Sequence, residues 1–434
     1  RIRIGHSTRM SDPASAPDDE ERVIERILAA ARDQILRHGL AGARVDQIAR
    51  KAAVSKQTIY ASFASKDDLF RAVMKATVAR ASAPDMPAVD ADRLEQTLLQ
   101  FARWVDKSMR EPANLGFYRA NIEAASTFPE MSASLHSLRV DTPPMLALIE
   151  TLQKRAGFPP LDARRAANWF GVLAAGGIES LLGRDCSEAE RQVRFDSLVH
   201  LFASGWSAPA PLSRDPAPGW DAPAEAPEQD SSGRTNASRW DAMLRLAFDR
   251  FADNGFSGTS VEQIASATGI AKMTIYRRYR SKDALFGAAL HRIVTDLESG
   301  RPALAFEEDV ASTLLAIAYQ QDRIYSGKEY VRLARLLVTA APNHEESVQT
   351  AWRRLTAQEE IDLGNYFLAQ RDAGQLYLVD PVVAASQFLL LARRGNRRLT
   401  DEALWDPDDA MTHARDVVRL CLRRDVSGTS LGRF

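Results

Sequence analysis

The feature that most limits how this chain can fold is a repeat whose two copies begin 216 residues apart. Residues 39–70 align without gaps onto residues 255–286, and 15 of the 32 paired positions are identical. The best-matched stretches are VDQIA over VEQIA, KQTIY over KMTIY, and SKD in both copies. A spacing of this length is far beyond one solenoid repeat, so we expect the chain to contain two copies of a complete module.

Length and composition agree with a multidomain globular protein. A chain of 434 residues exceeds what one hydrophobic core usually supports, and a hydrophobic fraction of 45% with 26% charged residues is ordinary for globular proteins. No apolar run approaches the roughly 20 residues that span a bilayer. Two cysteines are too few for a disulfide framework, which fits a reducing cytoplasm. We therefore expect a cytoplasmic, nucleoid-associated protein without a membrane partner.

The charge is distributed as in a protein that binds nucleic acid, although the net charge is only −1. Residues 22–80 carry 12 Lys or Arg against 5 Asp or Glu, and residues 239–292 carry 9 against 5. Two basic segments therefore lie within an acidic remainder. Such local positive charge is what attracts a phosphate backbone.

The chain is expected to be all-α, because apolar residues recur at helical spacing and no alternating runs predict a sheet. A segment with six prolines separates the two copies and predicts an exposed linker. The predicted organisation is a disordered tail (1–20), a DNA-binding domain (21–82), a helical C-terminal domain (90–206), the linker (207–236), a second DNA-binding domain (237–298) and a second C-terminal domain (306–425).

Each copy contains the pattern of a helix-turn-helix. In the first, a short helix over residues 45–52 is followed by a tight turn and by Ser55, a good N-cap for the next helix. Ile59 and Phe63 are expected on the buried face of that helix, which leaves polar side chains exposed. A helix of this kind enters the major groove by its N-terminal residues, so the sequence predicts that the protein reads double-stranded DNA.

These residues resemble the TetR family of bacterial regulators. The family pattern, roughly V-x-x-I-A-x-x-A-G-V-S-x-x-T-x-Y-x-x-F-x-S-K-x-x-L, matches residues 45–69 and 261–285 nearly position by position. The resemblance implies phosphate contacts from Tyr60 and Tyr276, and from Lys66 and Lys282 at the start of the fourth helix of each copy. The alternatives to phosphate contact are that Tyr60 is a core aromatic residue and that Lys66 is a solvated charge.

The two copies differ where bases are read. The first has Ala53 where the family usually has a turn glycine, and the second keeps Gly269. Arg277 suits guanine, whereas Gln57 suits adenine or is merely solvated. The two readers are therefore expected to prefer different half-sites. The predicted DNA-binding residues are Arg44, Ser55, Lys56, Gln57, Thr58, Tyr60 and Lys66 in the first copy, and Ser260, Lys272, Met273, Thr274, Tyr276, Arg277 and Lys282 in the second.

The regions behind the readers would be the family's ligand-binding and dimerisation domains. Their last two helices are expected to build a four-helix interface, from residues 163–182 with 188–206 and from 381–394 with 408–424. The small run at residues 174–177 predicts either a close helix approach or a kink. Aromatic and amide side chains that would line an effector pocket, or simply belong to the core, are Trp104, Tyr118, Asn121, Tyr319, Tyr330 and Trp352.

The sequence thus predicts a repressor that a small effector releases from DNA. One chain would act as an intramolecular pseudo-dimer on an asymmetric operator, or each half would pair with another chain. The alternative from another class is an enzyme or effector-binding protein with vestigial helix-turn-helix parts. We expect no cofactor, no metal and no enzymatic activity, because neither a metal-ligand cluster nor a catalytic constellation occurs. A G-x-S-x-G match at residues 428–432 lacks the flanking strand and downstream His of a nucleophile elbow.

Overall fold

The computed structural model describes residues 16–81, 86–133, 142–210, 234–400, 405–426 and 428–429. These residues are predominantly helical and contain no strand, which confirms the all-α prediction. Two compact units divide the chain, one over residues 1–80 and the other over residues 81–434. Within the described parts, no helix combines the length and the apolarity that crossing a membrane would require.

The first unit is the first helix-turn-helix region. It contains α1 (Ala16–Gly42), α2 (Val45–Ala52), α3 (Lys56–Ser62) and α4 (Lys66–Ala81). The helical conformation of α1 is interrupted at Gly39, whose φ of 69° is readily available only to glycine. The beginning of α1 at Ala16 corrects the prediction of a disordered tail over residues 1–20, because the last five of those residues are helical.

The core of this unit follows the helical periodicity of its sequence. Apolar side chains three and four residues apart on α1 form one buried stripe, which meets the buried side chains of the other three helices. The buried residues are Ile27, Ala31, Ile35, Ile48, Ile59, Leu69 and Phe70. One expectation is wrong: Phe63 is not on the buried face of α3, because it is the extended residue that ends that helix and is only half-buried.

The second unit begins with the first C-terminal domain. Its helices are α5 (Leu94–Arg110), α6 (Pro112–Ala124), α7 (Pro143–Gln153), α8 (Ala163–Ala175), α9 (Gly177–Leu181) and α10 (Glu188–Ala203). Asp162 caps α8 and Ser187 forms a capping box with Glu190 at the start of α10, so both helices begin where local side chains satisfy their backbone donors.

The same unit continues with the whole second module. Its helices are α11 (Arg234–Gly258), α12 (Val261–Thr268), α13 (Lys272–Tyr279), α14 (Lys282–Ser299), α15 (Val310–Tyr325), α16 (Lys328–Asp372), α17 (Pro381–Ala392) and α18 (Pro407–Leu422). The predicted linker covers residues 207–236, but α11 begins at Arg234, so the last three of those residues are helical. Pro342 lies inside α16, and the helix is interrupted at His344.

The two C-terminal domains pack on each other within the chain. Helices α8 and α10 of the first contact α17 of the second, and α10 also contacts α18. The ring of Trp169 meets His413 edge-on at 5.6 Å between centroids, and Gln387 donates from Nε2 to the carbonyl of Arg194 at 3.0 Å. These are the helices expected to form a four-helix interface, and here both pairs come from one chain.

Ion pairs and an aromatic contact join the second helix-turn-helix region to the second C-terminal domain. Arg332 on α16 donates to Asp249 and to Asp253 on α11, each at 2.9 Å. The ring of His344 packs against that of Phe256, with 3.9 Å between centroids and the ring planes tilted by 50°. The second reader and both C-terminal domains therefore belong to one compact unit.

Candidate nucleic-acid interface

The tight turn between the second and third helices has the same backbone shape in both copies. Ala53 adopts φ 54° and ψ 46°, and Gly269 adopts φ 64° and ψ 20°. Both pairs of angles lie in the left-handed region, which disfavours any residue with a Cβ. Ala53 in the first copy therefore keeps the turn geometry that glycine has in the second, although its backbone conformation is unfavourable for alanine.

The third helix of the first copy, α3, presents a polar face. Ser55 caps the helix by accepting from the backbone N–H of Thr58 at 3.0 Å, as predicted. Gln57 is exposed, and Tyr60 is 49% exposed. The alternative that Tyr60 is a core aromatic residue is therefore wrong, and its hydroxyl is accessible to a phosphate.

The corresponding helix of the second copy, α13, presents a different face. Its N-cap is Ala271, which has no side chain able to cap the helix. Met273 is 77% exposed, Arg277 is exposed and Tyr276 is half-buried. The guanidinium of Arg278 lies over the Trp240 ring, 4.9 Å from its centroid. Arg277 thus reaches solvent, whereas Arg278, although exposed, packs against Trp240 of α11.

The first residue of each of these helices forms an ion pair with an acidic residue of the preceding helix. Lys56 contacts Asp46, and Lys272 contacts Glu262. The hydrogen bond from Lys56 lowers the pKa of Asp46, and the bond from Lys272 lowers the pKa of Glu262. Both lysines were predicted to bind DNA, and that remains a prediction, but in the unbound chain each one holds the second helix against the third.

Lysines also begin the fourth helices, where backbone N–H groups are available to a phosphate. Lys66 lies 5.0 Å from the centroid of the Phe70 ring, and Lys282 lies 4.3 Å from that of Phe256. Burial lowers the pKa of Lys282. Both ammonium groups are therefore positioned on aromatic faces at the ends of helices, where a phosphate could replace part of their hydration.

The second helices begin differently in the two copies. Arg44 precedes α2, makes no capping bond and is exposed, so its guanidinium is available to a phosphate. Ser260 accepts from the Gln263 backbone at 3.2 Å, while Gln263 accepts from the Ser260 backbone at 2.9 Å. These two bonds form a capping box. Because the Ser260 oxygen accepts from within the protein, the predicted contact with a DNA phosphate would be donated by its hydroxyl hydrogen.

Comparison with known families agrees with this geometry. The family described as "Bacterial regulatory proteins, tetR family" matches twice, over residues 27–73 and 243–289. Both helix-turn-helix regions are thus of the TetR family. A further match, to "AefR-like transcriptional repressor, C-terminal domain", covers residues 312–424. The two N-terminal matches have the same 216-residue offset as the sequence repeat, which confirms the tandem duplication.

Several curated TetR-family relatives are similar to parts of the chain. RutR of Escherichia coli K12 is 33% identical over 103 residues, which are 24% of this chain and 48% of RutR. SCO4008 of Streptomyces coelicolor is 45% identical over 60 residues, 14% of this chain and 31% of that repressor. MftR of Mycobacterium tuberculosis is 25% identical over 204 residues, 46% of this chain and 98% of MftR. The chain thus spans about half the length of RutR, while one MftR corresponds in length to about half of this chain.

The residues predicted to line an effector pocket are dispersed. Tyr330 and Trp352 line a cavity of about 80 Å³ in the second unit. The other four do not line it: Trp104 is half-buried on α5, Tyr118 is buried in the core, Asn121 donates to the carbonyl of Ser132, and Tyr319 packs on Trp405. A part for these four in effector binding stays a prediction.

Sequence reasoning missed the charged part of that cavity. Glu179, Glu360, Arg393 and Arg398 also line it. Two arginines directly follow the apolar run FLLLA at residues 388–392. Because charged side chains next to a buried helix need partners, this pair could have indicated buried charges in this region. Within the described ranges, no group of three or more His, Cys, Asp or Glu side chains is arranged to hold a metal ion.

Proposed function

We propose that the protein is a sequence-specific, DNA-binding transcription regulator in which one chain does the work of a TetR-family dimer. The observation that carries this is the packing of α8 and α10 on α17 and α18 within a single chain. Ordinary helix-turn-helix dimers place two identical readers on a palindrome, about one helical turn apart. Here the readers are joined covalently, so their effective mutual concentration no longer depends on protein concentration.

Unlike readers imply an asymmetric operator. The exposed residues of α3 include Gln57, Ala61 and Ser62, whereas those of α13 include Met273 and Arg277. A guanidinium pairs with guanine and an amide with adenine in the major groove. One half-site is therefore expected to contain a guanine read by Arg277, and the other an adenine read by Gln57.

Release by a small effector would act through α16, which connects the cavity to the second reader. Val331 lines the cavity, and the next residue, Arg332, binds Asp249 and Asp253 on α11. Trp352 lines it as well, and Arg354 donates to Glu298 on α14 at 2.8 Å. A ligand that changes the position of α16 would shift both anchoring points of the reader, giving the two states between which an effector can discriminate.

In vitro selection from random duplexes with the full chain tests this proposal. We expect enrichment of one asymmetric site composed of two unlike half-sites at a fixed spacing. A palindromic consensus would contradict the pairing of unlike readers in one chain. No enrichment at all would overturn DNA recognition and favour the second candidate, an effector-binding or enzymatic protein acting in the cytoplasm with vestigial readers.

A further inference from the structure

The cavity beside α16 is built by both modules. Gly176, Gly177, Ile178 and Glu179 of the first module form one wall, and residues of the second module form the others. The first C-terminal domain therefore closes a cavity that lies mainly in the second. The cavity is therefore shared between the two modules.

The two arginines that line the cavity interact with carboxylates that do not line it. Arg393 donates to Glu359 at 2.6 Å and to Gln321 at 2.8 Å, and both of these acceptors are buried away from the cavity. Arg398 has Asp322, which is fully buried, at 3.8 Å. The arginines are thus committed to carboxylates outside the wall, which reduces their attraction for an anion inside it.

Of the two glutamates that line the cavity, one has an ion-pair partner and the other does not. Glu179 pairs with Arg184 at 2.7 Å. Glu360 forms no ion pair within the described part of the chain; the charges of Glu179, Arg393 and Arg184 act on it, and its carboxyl group hydrogen-bonds with Thr356. Burial, followed by the repulsion of Glu179, raises the pKa of Glu360 to about 7. A carboxyl group held in this way is stabilised as the anion when a cation enters the cavity.

Aromatic faces accompany this carboxyl group. Tyr325, Tyr330 and Trp352 line the cavity, and the two tyrosine rings lie 3.9 Å apart between centroids. The guanidinium of Arg393 already lies over one face of Tyr325, 4.0 Å from its centroid. Aromatic faces next to a carboxylate are the chemistry by which proteins bind ammonium groups.

We propose that this cavity binds a small organic cation, an amine or a quaternary ammonium compound, with Glu360 as its counter-ion. One cation binds per chain, and residues 176–179 of the first module close over it. The inference rests on the proposed function only for its consequence at DNA, since binding of the cation is a property of the cavity alone.

Calorimetry of the full chain with choline and with 3,3-dimethylbutan-1-ol tests the proposal, because the alcohol has the shape of choline with carbon in place of the charged nitrogen. We expect choline to bind with one site per chain, and at least about tenfold more tightly than the alcohol, which corresponds to about 1.4 kcal/mol. Equal binding of the two, tighter binding of butyrate, or no binding of choline would overturn it.

Two variants on the same helix sharpen the result. Glu360→Gln is expected to remove the preference for choline over the alcohol, whereas Glu346→Gln, at an exposed position, should leave it unchanged. Since the cation needs the ionised carboxyl group, choline affinity should increase about tenfold from pH 6 to pH 8, and this increase should vanish in Glu360→Gln. A pH dependence that persists in the variant would contradict the role of Glu360.

DNA release is measured separately, with the selected duplex. If choline binds as described but leaves the DNA complex intact, the cation site stands and the effector-release part of the proposed function fails. If choline does not bind while the duplex is still recognised, the cation site fails and DNA recognition stands.

Discussion

Gly395 of the second module lies so close to Val172 of the first that a Cβ on the glycine would stand 2.7 Å from Cγ1 of the valine. The reciprocal contact is also present, because a Cβ on Gly177 would stand 2.7 Å from Cδ2 of Leu390. Shifting both residues of one pair by 218 positions produces the other. Such reciprocal contacts are characteristic of a twofold interface, and they support the proposal that the two C-terminal domains pair like the halves of an isologous dimer.

This contact predicts a large effect of one methyl group. Gly395→Ala should lower the free energy of unfolding by about 2 kcal/mol more than Gly374→Ala, measured by chemical denaturation. Both glycines have positive φ, 56° and 71°, but nothing lies within 4 Å of a Cβ on Gly374. Val172 is β-branched and cannot easily turn away. Equal losses in the two variants would mean that the modules do not meet at this place.

The left-handed turn residues predict opposite effects in the two readers. Ala53→Gly should stabilise the first helix-turn-helix by about 1 kcal/mol, because φ 54° is unfavourable for a residue with a Cβ. Gly269→Ala should destabilise the second by a similar amount, since the nearest atom to an added Cβ would be 3.9 Å away and only conformation would change. Hydrogen exchange of the two regions separates these effects, and a loss of protection on Ala53→Gly would argue against the turn geometry.

Buried histidine predicts a loss of stability in mild acid. His413 is 2% exposed and its Nε2 bonds with the carbonyl of Leu391 at 2.9 Å; burial, followed by the charge of Arg394, lowers its pKa to about 3. Unfolded histidine binds a proton near pH 6.5 and the folded residue does not, so the free energy of unfolding falls as the pH drops from 7 towards 5. One histidine contributes up to about 1.4 kcal/mol for each pH unit.

His413→Gln should therefore flatten this dependence by the equivalent of one proton between pH 5 and 6. The pKa values of His200, His291 and His344 are also lowered by burial, so part of the slope persists in the variant. Denaturation curves recorded at several pH values provide the measurement. Parallel slopes for the two proteins would show that His413 is accessible to protons in the folded state.

A buried ion pair predicts a severe effect of removing one partner. Asp322 is fully buried and accepts from Nε and Nη2 of Arg394 at 2.7 and 2.8 Å. Asp322→Ala should cost about 3–5 kcal/mol of unfolding free energy, since it leaves buried guanidinium charge without this carboxylate. Asp372→Ala, whose carboxylate is 62% exposed beside Arg371, should cost less than about 1 kcal/mol. A small loss on Asp322→Ala would indicate that water reaches this cluster.

The readers predict effects confined to one half-site. Arg277→Ala should weaken binding to the selected duplex by about 1–3 kcal/mol and relax base preference in one half-site only. Gln57→Ala should relax preference in the other half-site. Repeating the selection with each variant checks both expectations. Equal relaxation in both half-sites, from either variant, would mean that the two readers are not assigned to separate halves of the operator.

Local features of the fold could be predicted from the sequence because their determinants lie within a few residues. The cap at Ser55, the capping box of Ser260 with Gln263 and the left-handed position of Gly269 all follow from short-range rules. The small residues at 174–177 are compatible with either a helix kink or a close approach of two helices. Both occur: Gly176 ends α8 in a left-handed conformation, and Gly177 meets Leu390.

The features that could not be predicted depend on partners distant in the chain. Arg393 and Arg394 follow an apolar helix and meet Glu359 and Asp322 from two other helices. No local pattern specifies such a pairing. The cavity likewise combines Glu360 with a wall from the first module, and of the residues predicted to line an effector pocket only Tyr330 and Trp352 line it.

Light scattering gives the molar mass of the complex with the selected duplex, and this number tests most directly whether one chain supplies both readers. We expect one chain of 48.0 kDa per duplex, over a range of protein concentrations. Two chains per duplex, with occupancy that depends on chain dimerisation, would show that the readers pair between chains.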